Sequence, residues 1–261
     1  MGFFARTRPG ALAAAVAAAT LSVLPGSVLA QSDDLEQAAQ YQACMDLVEI
    51  APDEALESAQ TWEDLGGSDP ARHCAAVALL RLGHFKVAAE ELETLAGSLE
   101  QTYAHLQIPI LIQAAQAWLA AGDSDRAFAV QTAALARQPN NIDLLVDRAV
   151  TAASIGNYAA AIGDLDRALS NAPNRADILV LRASARRFLD QREAALADVE
   201  AALLLDPENP EGLLERGNLR RLAGDDAGAR ADWLRVTRLA PDSPAARAAQ
   251  ANLAKLDVKV E

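Results

Sequence analysis

The sequence predicts an all-α solenoid of stacked antiparallel helix pairs, closed by a capping helix at its C-terminal end. Three observations carry this expectation. Proline recurs every 34 residues, at Pro139, Pro173, Pro207 and Pro241. Small residues keep the same period in three further series: Ala127, Ala161, Ala195 and Ala229; Ala134, Ala168, Ala202 and the larger Val236; and Ala115, Ala149, Ala183 and Gly217. A turn series, Gly122, Gly156, Asp190 and Gly224, separates two helical patterns within each period. A fixed period of this length with two helices per period is the mark of a repeat stack.

A leader comes first. Arg6 and Arg8 precede an uncharged stretch at 11–24, Pro25 and Gly26 break it, and Val28-Leu29-Ala30 offers small or aliphatic residues to signal peptidase. The layout predicts a signal peptide over 1–30, cleaved after Ala30. A retained anchor is the alternative, but a helix of that stretch would rise about 21 Å against a hydrocarbon core of about 30 Å. No stable membrane insertion is expected after cleavage. No cysteine follows the cut, and the two arginines are not adjacent, so neither a lipoprotein nor the twin-arginine route is expected. The expected compartment is the periplasm of a bacterium. The excess of arginine and alanine over lysine is associated with a GC-rich genome.

Segment 31–107 is acidic, with 15 Asp and Glu against Arg72, Arg81 and Lys86. A solvated acidic surface accounts for this, and a docking face for a basic partner is the sharper reading. The whole chain carries a net charge of −13. That argues against nucleic acid as a partner, which needs a basic face to displace counterions. With two cysteines, neither a multi-disulfide scaffold nor a four-cysteine zinc site is possible.

Helix pairs follow. Gly83 within Arg81-Leu82-Gly83-His84-Phe85-Lys86-Val87-Ala88 predicts a unit beginning near Asp69. Pro52-Asp53-Glu54-Ala55-Leu56 reads as the start of a second helix, in a unit near 36–68. These are degenerate pairs, and together they make up 31–107. Five extra residues between Ala96 and Gln107 break the period before Pro109 opens the next helix. Four regular units are expected at 108–141, 142–175, 176–209 and 210–243. In each, the small residue at unit position 8 and the alanines at positions 20 and 27 let two helices approach closely. Glycine at position 15 ends the first helix in a left-handed conformation. Proline at position 32 cannot continue the second. Residues 244–257 read as an amphipathic helix covering the open end, within a capping segment 244–261.

Segments such as Ile155-Gly156-Asn157-Tyr158-Ala159-Ala160-Ala161-Ile162 and Ala201-Ala202-Leu203-Leu204-Leu205-Asp206-Pro207 resemble the tetratricopeptide repeat family. The resemblance covers roughly 36–257 and is strongest over 108–243. It departs at position 11, where the family's aromatic is present as Trp118 but replaced by Ala152, Arg186 and Arg220. The resemblance implies a right-handed superhelix with the first helix of each pair lining its concave face. It implies protein–protein interaction rather than catalysis, with no cofactor and a protein or peptide partner. Family positions 2, 5, 9, 12 and 13 point into the groove. Mapped here, these slots include Ile112, Gln116 and Leu119, then Val146 and Val150, then Val180, Ser184, Arg187 and Phe188, then Leu214, Asn218, Arg221 and Leu222. Such a strip suits a peptide with apolar anchors and a carboxylate. Asn218 resembles the asparagine of carboxylate-clamping grooves, without the lysines that accompany it there.

Two constellations are read as structural. Arg148, Arg182 and Arg216 stand at position 7, where the family usually has leucine, and Asp164, Asp198 and Asp232 stand at position 23. Three ion pairs within their own units are expected, because a guanidinium turned toward a partner helix needs an opposite charge. Cys44 and Cys74 fall on the first helices of successive units. In an oxidising compartment a disulfide between them is expected, with free thiols as the alternative. His73, His84 and His105 fit no zinc-ligand spacing, so no metal is expected.

The chain has no phosphate-binding glycine loop, no nucleophile elbow and no paired-histidine metal motif. The expected function is a non-catalytic scaffold or adaptor. Two alternatives stand beside it: a self-assembling envelope protein, and a metal-binding or enzymatic protein using 69–107.

Overall fold

A computed structural model describes residues 25–99 and 101–257. Arg6, Arg8 and the apolar stretch 11–24 of the expected leader lie outside the described residues, and so does the end of the expected capping segment, 258–261. Thirteen α-helices follow one another, and no strand occurs among the described residues. They are α1 (Pro25–Ile50), α2 (Pro52–Trp62), α3 (Ser68–Arg81), α4 (Phe85–Ser98), α5 (Gln107–Ala120), α6 (Ser124–Arg137), α7 (Ile142–Ser154), α8 (Tyr158–Asn171), α9 (Ala176–Phe188), α10 (Arg192–Leu205), α11 (Pro210–Leu222), α12 (Asp226–Leu239) and α13 (Pro244–Asp257). No helix among the described residues is long and apolar enough to cross a membrane.

Local chemistry sets the ends of these helices. Asp123, Asn141, Asn157, Asn209 and Asp225 each accept a hydrogen bond from the backbone N–H three residues on, at 2.8–3.2 Å. Each therefore satisfies a donor that the first helical turn leaves unpaired. Gly83, Gly122, Gly156 and Gly224 all have positive φ, and Asp190 holds the same left-handed position at φ 59°. The stretch that breaks the repeat register holds a short 3-10 helix, Gln101–Leu106, ahead of α5.

Helices pair within each unit and each pair packs on the next, while the first helices follow one another from α7 to α9, α11 and α13. One continuous core runs from Ala76 to Ala202 and a second from Ala183 to Leu256. A smaller cluster holds Cys44, Val48, Ala55, Ala59, Cys74 and Ala78. α13 packs on α11 and α12 and buries Ala245, Ala246, Ala249 and Leu256, so the last regular unit is covered.

Small residues at position 8 are a steric requirement. A Cβ at Gly217 would stand 2.7 Å from Cδ1 of Trp233 on the facing α12. The buried indole, which donates to the Leu214 carbonyl, has nowhere to retreat. Gly217→Ala is therefore expected to lower stability by about 1–3 kcal/mol, despite alanine's better helix propensity. Urea unfolding followed by tryptophan fluorescence checks this, and an unchanged midpoint would show that α11 and α12 can separate at no cost.

Candidate functional site

The ion-pair residues come together in the structure. Arg148 grips Asp164 with two hydrogen bonds of 2.6 and 2.7 Å. Arg182 grips Asp198 at 2.6 and 2.9 Å, and Arg216 grips Asp232 at 2.7 and 2.9 Å. Each carboxylate is buried. The hydrogen bonds to Asp198 and Asp232 hold the guanidiniums of Arg182 and Arg216 above their ordinary range, against the opposing pull of burial.

The position-11 arginines fill the family's aromatic slot by joining these pairs. Arg186 Nη1 donates to Asp198 at 2.8 Å and Arg220 Nη1 to Asp232 at 2.7 Å. The position-7 arginines also reach backwards. Arg148 Nη1 donates to Thr132 at 3.1 Å and Arg182 Nη1 to Asp166 at 2.7 Å, both in the preceding unit. The ladder therefore joins units as well as the two helices within one.

Cys44 and Cys74 form a disulfide between α1 and α3, and both residues are buried.

The residues expected to line a groove differ in exposure. Val150, Phe188 and Leu222 are exposed, at 48%, 54% and 47%. Phe188 stacks on Tyr158 with ring centroids 4.6 Å apart, and Arg187 lies over its ring at 4.5 Å. Val146, Ser184, Leu214, Asn218 and Arg221 are partly buried, and Val180 is buried in the main core. Arg187 donates to the buried carboxylate of Glu215 at 2.5 Å, so its charge is already engaged.

Around the C-terminal first helices lies an open recess of about 1050 Å³. Arg187, Asn218, Arg221 and Leu222 line it, with Asn252 and Lys255 from α13. Asn252 donates to Asn218 at 2.9 Å, and Asn218 donates to Glu215 at 3.3 Å. Arg221 meets Asp226 at 3.1 Å on a partly exposed edge. Both α13 residues escaped the sequence reading, although each stands 34 residues after its counterpart: Asn252 after Asn218, and Lys255 after Arg221.

The histidines lie apart. His84 and His105 are exposed, while His73 is partly buried beside a second cavity near the N-terminal end. Among the described residues, no cluster of three or more His, Cys, Asp or Glu could hold a metal ion.

Residues 114–186 match the tetratricopeptide repeat family. That segment carries tetratricopeptide repeats. Solved structures agree with that fold. The C-terminal part of a TPR repeat-containing protein from Cytophaga hutchinsonii superposes with a TM-score of 0.61 at 16% identity, covering 76% of this chain and 78% of that one. MamA 41-end from Desulfovibrio magneticus RS-1 gives 0.55 at 21% identity, covering 71% and 97%. A MamA RS-1 double mutant gives 0.55 at 22% identity, covering 69% and 93%. No curated relative matches. At these identities the likeness speaks for the fold, and the tetratricopeptide repeat is generally a non-catalytic scaffold. The repeats differ from the usual pattern at positions 7 and 11, where arginines paired with the buried aspartates of position 23 stand in for apolar packing.

Proposed function

We propose that the protein is an exported scaffold that binds a protein segment ending in a carboxylate, with its acidic end seated in the recess between α9, α11 and α13. One observation carries the reading. Amides at position 9 and cations at position 12 converge there from successive first helices, in a chain whose net charge is −13. Amide and cationic donors together suit a carboxylate. The exposed Leu222, Phe188 and Val150 extend from the recess as apolar footholds for the residues that precede it. Arg187 shapes the recess through Glu215. Lys255 meets the ligand, and Arg221 joins it by exchanging its exposed partner Asp226 for the ligand's carboxylate. Export and a periplasmic location are supported by the leader's layout and by a disulfide of the kind that persists in oxidising compartments.

A library of peptides, each made with a free and with an amidated C-terminus, tests this. Binders are expected to carry apolar residues before a free terminus. Affinity should fall by about tenfold or more on amidation, since a charge-assisted hydrogen bond is worth about 1.5–3 kcal/mol. The Arg221→Glu, Lys255→Glu double variant should lose the same preference while keeping its helical circular dichroism. Equal binding of both forms, or an unaffected double variant, would sink the reading.

A further inference from the structure

The structure holds a second, smaller cavity, of about 480 Å³, on the first-helix face at the N-terminal end. Helices α1, α3 and α5 form its floor, and Leu99, Tyr103 and Leu106 overhang it. The overhang is built from the insertion that breaks the 34-residue period. The walls are largely apolar, with Leu106, Ile110 and the Tyr103 ring among them.

A directional chain of hydrogen bonds crosses the floor. Tyr41 on α1 contacts His73 Nδ1 on α3 at 2.8 Å, and His73 Nε2 contacts Gln113 Oε1 on α5 at 2.7 Å. The amide oxygen can only accept, so His73 donates from Nε2 and accepts from the tyrosine hydroxyl at Nδ1. Burial pushes the His73 pKa down and so favours the neutral ring, partly opposed by its bond to Gln113. This chain consumes the Gln113 oxygen and leaves its Nε2 amide with no partner among the described residues. Gln37 is in the same state, because its oxygen accepts from Tyr103 at 3.5 Å.

The cavity therefore offers two amide N–H groups in an apolar setting. No lysine or arginine lines it, and the acid that does, Asp69, lies near Arg72 at 3.8 Å. An anion would be repelled there, and a free cation would find the acid already attended. A volume in the range of about 300–1,000 Å³ is that of small-molecule sites. We propose that this cavity binds a neutral, largely apolar small molecule through a carbonyl-type hydrogen-bond acceptor received by Gln113. The site stands apart from the C-terminal recess and does not depend on the reading given to it.

The test uses 6-propionyl-2-(dimethylamino)naphthalene, a neutral aromatic ketone whose emission reports both polarity and hydrogen bonding at its carbonyl. Titration of the purified protein should give saturable, single-site binding with blue-shifted emission. Ala38 lines the cavity from an exposed position on α1, so Ala38→Trp fills the space without burdening the core. It should weaken binding by about tenfold or more. Gln113→Leu keeps the wall apolar and removes the donor. It should weaken binding by about fivefold and shift the bound emission further to the blue, as expected for one lost hydrogen bond. Lys255→Glu, in the other recess, should change neither quantity. Non-saturable emission overturns the proposal. So does wild-type affinity in both cavity variants, once circular dichroism shows them folded.

Discussion

Replacing Asp198 by alanine is expected to destabilise the protein by about 3 kcal/mol, toward the lower end of what removing one partner from a buried ion pair costs. The carboxylate is almost fully buried and answers two guanidiniums at once, Arg182 through two hydrogen bonds and Arg186 through a third. Its removal leaves two positive charges facing each other near the core with only Asp166, on the exposed face of α8, to answer them. Both arginines retain some contact with solvent, which keeps the cost from rising further. Arg182→Ala should cost less, because Asp198 keeps Arg186. In a double-mutant cycle on Arg182→Ala and Asp198→Ala, the double variant should be markedly more stable than the sum of the singles implies. Strict additivity in urea unfolding would mean that the pair is not coupled.

The same variant in the neighbouring unit gives a graded comparison. Asp164 holds Arg148 tightly, but Ala152 stands at position 11, and the next nearest cation, Arg167, is 3.7 Å away and more exposed. Asp164→Ala strands one buried guanidinium rather than two, so its cost should fall below that of Asp198→Ala. If the two were equal, the position-11 arginine would contribute nothing, and Arg186 would be a surface residue that happens to lie close.

How much of this was legible in the sequence depends on which force set each feature. Helix ends and close helix contacts answer to backbone geometry and side-chain size, which repeat with the chain. Gly217 and Pro207 were therefore readable one residue at a time, and Asp190 could be placed in a glycine slot before its left-handed φ was seen. The Arg–Asp pairs were legible because both partners recur with the same 16-residue offset. Their links between units were not, since Asp166 and Thr132 look like any exposed polar residue on a second helix. Arg187 misled for a related reason. Its slot predicts a free groove cation, yet Glu215, one unit on, is buried and takes it. Asn252 and Lys255 keep the 34-residue spacing, but the pattern of a capping helix speaks only for covering the stack, not for lining a groove. The Tyr41–His73–Gln113 chain had no signal at all. Its members stand 32 and 40 residues apart in irregular units, and only the packing of α1, α3 and α5 brings them together.

Reduction of the Cys44–Cys74 disulfide is expected to cost about 3–4 kcal/mol for a closed loop of this length, if constraint of the unfolded chain dominates. The separation is 30 residues. The loss should fall on one end of the molecule. The cluster around the bridge is small and mostly alanine, whereas α5 to α10 share one continuous core. In a repeat stack each unit leans only on its neighbours, so a weakened terminal unit opens without dragging the rest with it. Under reductant, hydrogen exchange should rise across α1 to α3 while α7 to α12 keep their protection. A Cys44→Ser, Cys74→Ser variant should behave like the reduced protein, and identical exchange in oxidised and reduced forms would refute the assignment. The bridge also ties together the two helices that carry Tyr41 and His73. Its reduction should therefore loosen the N-terminal cavity before it touches the C-terminal recess, so the redox state of one covalent bond would separate the two sites in a single sample.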